Sequence, residues 1–349
     1  MTHVADDVTS PTGESTSSAT LTAAGGAGRA TARPARPAAN ERGGRRTDRR
    51  MWLEIAVFVT PALAIFAAFV VWPIVKAVQF SLYRWKGYGP LVDFVGLENY
   101  TKVLRNEVFQ DAVVHNLVIV VLSVAVQLPL GLAVALLLNR RMRFQGLMRT
   151  IVFVPYVLAE VIAGVVWAQL LQPKYGIVDS LLTAIGITPP AQGFLGTPEY
   201  ALMTVLVVLT WKYLGLAVIL LLAGLQSVPD ELYEAAQLDG ATWWQTQRRI
   251  TVPLLGPTIR MWIFLSMVGS LQLFDMVWIL TRGGPANATM TMATFLINEG
   301  TKRSNYGIAS AASVVLFVIA LVVALLYQRL VLARDTAETA VARPRRRTR

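Results

Sequence analysis

Apolar residues in this chain gather into six long runs separated by polar connections: Ile55–Val75, Ala112–Leu138, Ile151–Leu171, Ala201–Leu225, Ile259–Leu280 and Ile308–Tyr327. A bilayer hydrocarbon core of about 30 Å is crossed by ~20 helical residues at 1.5 Å each, so every run is long enough to span. The pattern predicts an all-α polytopic membrane protein with six transmembrane helices. The first and last runs carry no charge, and the second carries only His115. The third holds Glu160, the fourth Lys212, and the fifth Arg260 near its start and Asp275 near its end. Pro61, Pro73, Pro129 and Pro155 fall within or beside the runs. In lipid, the backbone groups that proline frees need neighbouring helices or solvated cavities, which favours a packed bundle.

Composition agrees with the runs. The 349 residues are 54% hydrophobic and only 15% charged, against about 25% charged in an ordinary soluble domain. The excess of positive charge, +11, is concentrated at the ends. Residues 1–50 hold eight arginines against five acids, and residues 329–349 hold seven against two. Basic tails beside apolar spans suit the anionic face of a membrane, and with no folded basic module beside them no nucleic-acid partner is expected. Residues 1–51 are too poor in large apolar side chains to offset their ordering entropy, so they are expected to be a disordered basic tail. Residues 331–349 form a second such tail, and residues 52–330 form the membrane domain. The absence of cysteine excludes disulfides and thiol chemistry, and two histidines leave little room for a metal centre; no cofactor or metal is expected. Arg140, Arg141, Arg143 and Arg149 crowd the connection after the second run, whereas the connection after the third has only Lys174. By the positive-inside rule, both termini, that connection and the one at residues 226–253 face the cytoplasm.

The connection Gln226–Pro253 is the longer of the two polar connections on that side. Ser227, Pro229 and Asp230 form a helix-start signature, predicting a helix over Pro229–Asp239. Leu232, Ala235, Ala236 and Asp239 share one of its faces, and Gly240 supplies the positive φ that ends it. A second short helix is expected over Thr242–Ile250, with Pro253 and Pro257 leading into the fifth run. These features alone fit both an ordinary amphipathic surface hairpin and a surface shaped for another protein. The residues Glu234-Ala235-Ala236, then Gly240, then Ile250 and Pro253 resemble the EAA loop of permease subunits of bacterial binding-protein-dependent ABC importers; Val252 stands where that pattern has Leu. Phe94–Tyr100, Phe274–Pro285 and Tyr306–Ile319 are similar to the carbohydrate-uptake branch of those permeases, so the resemblance covers residues 52–330.

The resemblance implies a coupling helix docking into an ATPase cleft through Glu234, Ala235, Ala236 and Gly240, with Leu232 and Asp239 on the same surface. It implies two copies of an ABC ATPase subunit, a second homologous permease and an extracytoplasmic solute-binding protein as partners, in a bacterial plasma membrane. The cargo would be a sugar or oligosaccharide, or, within the same family, a glycerol phosphate or polyol. ATP and Mg would be bound by the partner ATPase, and this chain has no GxxxxGK[ST] phosphate loop of its own. A secondary, ion-coupled transporter is the main rival, although the three intramembrane charges form no visible relay. An intramembrane enzyme would need a catalytic constellation that the runs lack.

A charge at mid-bilayer costs about 2.5–3.5 kcal/mol on insertion scales, so each needs a partner or a wet cavity. Glu160, Trp167, Lys212, Gln272 and Asp275 are the candidates to line a translocation path. Pairing between helices for Glu160 and Lys212, and a capping role near the interface for Asp275, stand beside that reading. Tyr156, Trp211, Tyr213, Phe274 and Trp278 have faces on which a sugar can stack, and aromatics also collect at membrane interfaces. His115 is expected to be an interfacial hydrogen-bonding residue.

Overall fold

The computed structural model describes residues 44–140 and 143–332. The two tails expected to be disordered lie almost wholly outside the described residues. In chain order the helices are α1 (Met51–Ser81), α2 (Glu98–Arg105), α3 (Glu107–Leu138), α4 (Gln145–Val157), α5 (Glu160–Leu170), α6 (Ile177–Ala184), α7 (Pro198–Gln226), α8 (Asp230–Leu238), α9 (Trp243–Leu254), α10 (Gly256–Leu271), α11 (Asp275–Leu280), α12 (Met292–Ile297) and α13 (Tyr306–Val331). No strand occurs among the described residues, and an isolated bridge pairs Tyr83 with Phe94. The chain divides into a unit ending at Pro61 and a unit from Ala62 onward. The described part of the first is helical.

Four helices, α1, α3, α7 and α13, are each long and apolar enough to cross a membrane. Two bent pairs, α4 with α5 and α9 with α10, bring the number of crossings to as many as six. Two expected spans are therefore corrected. The run Ile151–Leu171 is two helices meeting at 100°, because Leu158 and Ala159 adopt ψ of 142° and leave the helical region. The run Ile259–Leu280 stops being helical after Leu271 and resumes at Asp275.

Prolines are accommodated inside the helices by local widening. Pro73, Pro129 and Pro253 each come two residues after a five-residue π-turn, at Ala67–Val71, Ser123–Gln127 and Gln247–Thr251. A helical proline lacks its N–H and its ring crowds the carbonyl four residues back. Here those carbonyls belong to Phe69, Ala125 and Arg249, all inside the π-turns, whose wider winding accommodates the clash.

Close packing rests on small residues. A Cβ at Gly131 would lie 2.8 Å from the Ala217 Cβ, and one at Gly215 would lie 2.7 Å from the Val152 carbonyl oxygen. Backbone approach of this kind is how helices associate where lipid removes the hydrophobic drive. It presses α7 against both α3 and α4.

Asn116, fully buried in α3, is a second organiser. Its Nδ2 donates to the Ser270 and Leu271 carbonyls at 2.7 and 3.2 Å, and its Oδ1 accepts from the Met292 N–H at 2.9 Å. One amide thus satisfies the end of α10 and ties the start of α12 to α3. Replacing Asn116 with leucine strands these buried groups, at a cost of about 1–3 kcal/mol. The thermal unfolding midpoint of the detergent-solubilised variant is expected to fall clearly. An unchanged midpoint would remove Asn116 from this role.

Candidate functional site: an exposed helix and a polar intramembrane cavity

The α8 hairpin is built locally. Asp230 and Glu231 occupy the first turn of α8, where negative charge complements the helix dipole. Ser227 does not cap this helix: its Oγ donates back to the Gly224 carbonyl at 2.7 Å, and Pro229 occupies the cap position with no side-chain bond. The end of α8 follows the sequence expectation. Gly240 has φ of +70°; its N–H donates to Gln237 O at 3.0 Å and the Ala241 N–H to Ala236 O at 2.9 Å. Those paired bonds are a Schellman ending, which favours a residue free to take positive φ. The next helix carries a signal that the sequence reading missed. Thr242 and Gln245 form a capping box, with Gln245 N donating to Thr242 Oγ1 at 3.4 Å and Thr242 N to Gln245 Oε1 at 2.7 Å.

Burial divides the α8 residues. Leu232, Glu234, Ala235, Asp239 and Gly240 are exposed, and Leu238 beside them is 90% exposed. Ala236, expected on the same face, is turned inward at 6% exposure. It lies there with half-buried Tyr233, whose hydroxyl accepts from Thr251 Oγ1 at 3.4 Å. The outward surface is therefore Leu232, Glu234, Ala235, Leu238, Asp239 and Gly240, and Ala236 is part of its footing. Arg140, at the end of α3, lies over the Trp243 ring at 5.3 Å. The arginine-rich connection after the second span and the α8–α9 connection are thereby on one side of the protein.

Inside the bundle, a cavity of about 340 Å³ opens between α3, α4, α7 and α10. Its polar lining comes from Ser123, Gln127, Tyr156, Tyr213, Ser266 and Ser270. None of the five residues expected to line a path reaches it. Lys212, buried within α7, donates to the Pro155 and Tyr156 carbonyls at 3.1 and 3.0 Å and to the Leu158 carbonyl. Its ammonium also lies 3.6 Å from Glu160 Oε1, which accepts the Tyr213 hydroxyl at 3.0 Å. The two charges thus pair between helices, at the bend of α4 and α5. Trp167 packs edge-on against Trp211, with ring centroids 5.5 Å apart. Gln272 and Asp275 are exposed, and Asp275 opens α11, where a carboxylate suits the helix N-terminus. Of the aromatics weighed for stacking, Tyr156 and Tyr213 face the cavity. The serine and glutamine lining was legible in principle: Ser123 with Gln127, and Ser266 with Ser270, are polar pairs four residues apart inside apolar runs.

Two of the remaining resembling segments, Phe94–Tyr100 and Tyr306–Ile319, meet at the end of α1. Asn99 is buried and donates to the Ser81 and Tyr83 carbonyls at 2.8 and 2.9 Å, fastening Phe94–Tyr100 to the end of α1. The Lys102 ammonium, 2.6 Å from Glu98 and aided by Arg84, holds the Glu98 carboxyl below its usual range. Gly307 N donates to Trp85 O at 3.1 Å, joining α13 to the same segment. Thr289 Oγ1 lies 2.6 Å from Thr281 Oγ1 and donates to Gly284 O at 2.8 Å, closing the Phe274–Pro285 turn. His115 Nδ1 lies 2.9 Å from the Met290 carbonyl oxygen, a hydrogen bond of the kind expected for it. Among the described residues no group of His, Cys, Asp and Glu is arranged to hold a metal ion.

Residues 127–334 match the family described as binding-protein-dependent transport system inner membrane component. A probable ABC transporter permease protein of Pyrococcus horikoshii is 35% identical over 274 residues, 78% of this chain and 94% of that protein. The trehalose/maltose transport system permease protein of Thermococcus litoralis is 33% identical over 271 residues, 78% of this chain and 91% of its own length. A crystal structure of a bacterial alginate ABC transporter, in complex with an alginate pentasaccharide-bound periplasmic protein, contains a chain of similar fold. It superposes with a TM-score of 0.71 at 28% identity, covering 82% of this chain and 96% of that one.

Proposed function

Because the chain belongs to the binding-protein-dependent transport system inner membrane components, we propose that it is the permease subunit of an ATP-driven importer of a sugar or oligosaccharide. The observation that carries this reading is agreement over nearly the whole membrane domain with permeases named for sugar transport, together with the alginate transporter's fold. A solute-binding protein delivers the cargo from outside. A second, related permease completes the path, and two ATPase subunits, which hold ATP and Mg, supply the drive. In this reading both termini and α8 lie in the cytoplasm, as the arginine-rich connection after α3 favours.

The mechanism divides between the two parts of the site. ATP binding closes the ATPase pair, and α8 transmits that closure through its exposed Leu232, Glu234, Ala235, Asp239 and Gly240. The bundle then opens outward to receive cargo from the binding protein. The hydroxyl and amide groups of Ser123, Gln127, Tyr156 and Tyr213 offer hydrogen bonds to sugar hydroxyls, while the apolar remainder of the cavity keeps the site weak enough to release. No covalent step falls to this chain.

The test is uptake into proteoliposomes holding this chain, the paired permease and the ATPase, with the binding protein outside. Labelled oligosaccharide is expected to accumulate only when ATP is enclosed. Accumulation that survives without ATP, on a proton gradient alone, would overturn the reading in favour of a secondary transporter.

A further inference from the structure

A groove on the outside of the bundle, separate from the cavity, has the chemistry of a lipid site. It holds about 680 Å³ between the second half of α3 and the face of α9. One wall is Leu132, Leu136 and Leu137 of the α3 span, which offers an acyl chain an apolar bed. The other is α9, whose Trp243, Trp244, Gln247 and Arg248 fall on one helical face toward the groove. Tryptophan marks the membrane–water boundary, so the groove runs from hydrocarbon into the headgroup layer. Arg140 stands at the span end, and Arg140 and Arg248 line the same groove. Neither guanidinium forms an ion pair with a carboxylate among the described residues.

We propose that this groove binds one anionic glycerophospholipid of the surrounding bilayer, with its phosphate between Arg140 and Arg248 and an acyl chain along Leu132, Leu136 and Leu137. The arginine forks match phosphate geometry. Two guanidiniums without a carboxylate partner among the described residues, Arg140 resting on the Trp243 ring, lie beside an apolar bed and match the two ends of such a lipid. The bound molecule would brace α9, and through it α8, against the membrane.

The test uses the full chain in phosphatidylcholine nanodiscs doped with phosphatidylglycerol, with retained lipid counted by native mass spectrometry. The wild type is expected to hold one phosphatidylglycerol through a detergent wash that removes phosphatidylcholine. Each juxtamembrane arginine contributes about a factor of five to anionic-lipid binding, so the Arg140→Gln, Arg248→Gln double variant is expected to lose retention about thirty-fold. Arg249→Gln, a neighbouring arginine outside the groove lining, should leave retention unchanged. Ala133→Trp fills the groove from an exposed position and should displace the lipid without moving the unfolding midpoint. Equal loss with Arg249→Gln, or equal retention of phosphatidylcholine, would overturn the proposal as unspecific adsorption. Retention unaffected by Ala133→Trp would also overturn it. So would loss of partner-subunit co-purification in the double variant with lipid retention intact, which would make the groove a protein interface.

Discussion

Replacing Lys212 with methionine is expected to destabilise the protein by about 3 kcal/mol, the lower end of the ~3–5 kcal/mol cost of removing one partner from a buried ion pair. The lower end applies because the Glu160 side chain is 29% exposed while that of Lys212 is 2% exposed. The residue does more than neutralise a charge. The last carbonyls of a helix have no partner within it, and at the end of α4 they turn into the packed bundle toward buried Lys212. Lys212 donates to three carbonyls around that end, from Pro155, Tyr156 and Leu158. The helix dipole puts partial negative charge at the end of α4 and partial positive charge at the start of α5. Lys212 meets the first and Glu160 the second, so the ion pair compensates both ends of the bend. Methionine keeps the volume and removes every one of these interactions. The measurement is the unfolding midpoint in detergent, together with proteolysis at the bend, which should speed up. Pairing the change with Glu160→Gln removes the stranded carboxylate and should recover part of the loss, giving a coupling energy of the same sign. A Lys212→Met protein as stable as the wild type, or a double variant showing no coupling, would end this account of the bend.

Substituting Gly240 with tryptophan should reduce uptake to background while membrane insertion stays intact. Gly240 sits at the left-handed position that ends α8, with φ of +70°, and a Cβ there would meet nothing within 4 Å. The cost to folding is thus backbone strain alone, about 1–2 kcal/mol, too little to unfold a membrane bundle. The indole would nevertheless protrude from the surface formed by Leu238 and Asp239, where the proposed ATPase cleft would close. Gly240→Asn is the control, because asparagine tolerates the left-handed region and adds little bulk; it should retain most uptake. Glu234→Lys reverses an exposed charge on the same surface and should abolish ATPase co-purification with no change in unfolding midpoint. Normal transport and normal ATPase co-purification in Gly240→Trp would rule out the docking role of α8.

These two variants differ in how far the sequence announces them. Gly240 is legible because its requirement is local: a helix signature precedes it, and the positive φ appears where the pattern places it. The α8 boundaries differ by one residue at each end, Asp230–Leu238 against the expected Pro229–Asp239. Ala236 shows the limit of that reading. Helical spacing alone puts it on a face with Leu232 and Ala235, yet Tyr233 and Ala236 turn toward the protein because α9 folds back against that side. The residues lining the cavity are harder to read from the sequence. Glu160 and Lys212 are conspicuous as charges in apolar runs, but the cavity is lined by quieter neighbours, Ser123, Gln127, Tyr156 and Tyr213.

By itself the sequence determined that this is a helical membrane protein, where its apolar runs lie, and how α8 stops. Hydrophobic transfer, helix length, turn chemistry and glycine's freedom all act among residues close in the chain. Only the tertiary structure decided that two of the runs are interrupted, which groups line the cavity, and what the buried lysine holds. Lys212 lies 54 residues from the Leu158 carbonyl it satisfies, and Asn116 lies 176 from the Met292 amide. Buried polar groups must find partners wherever the packed helices bring them, and no local pattern encodes which distant end will arrive.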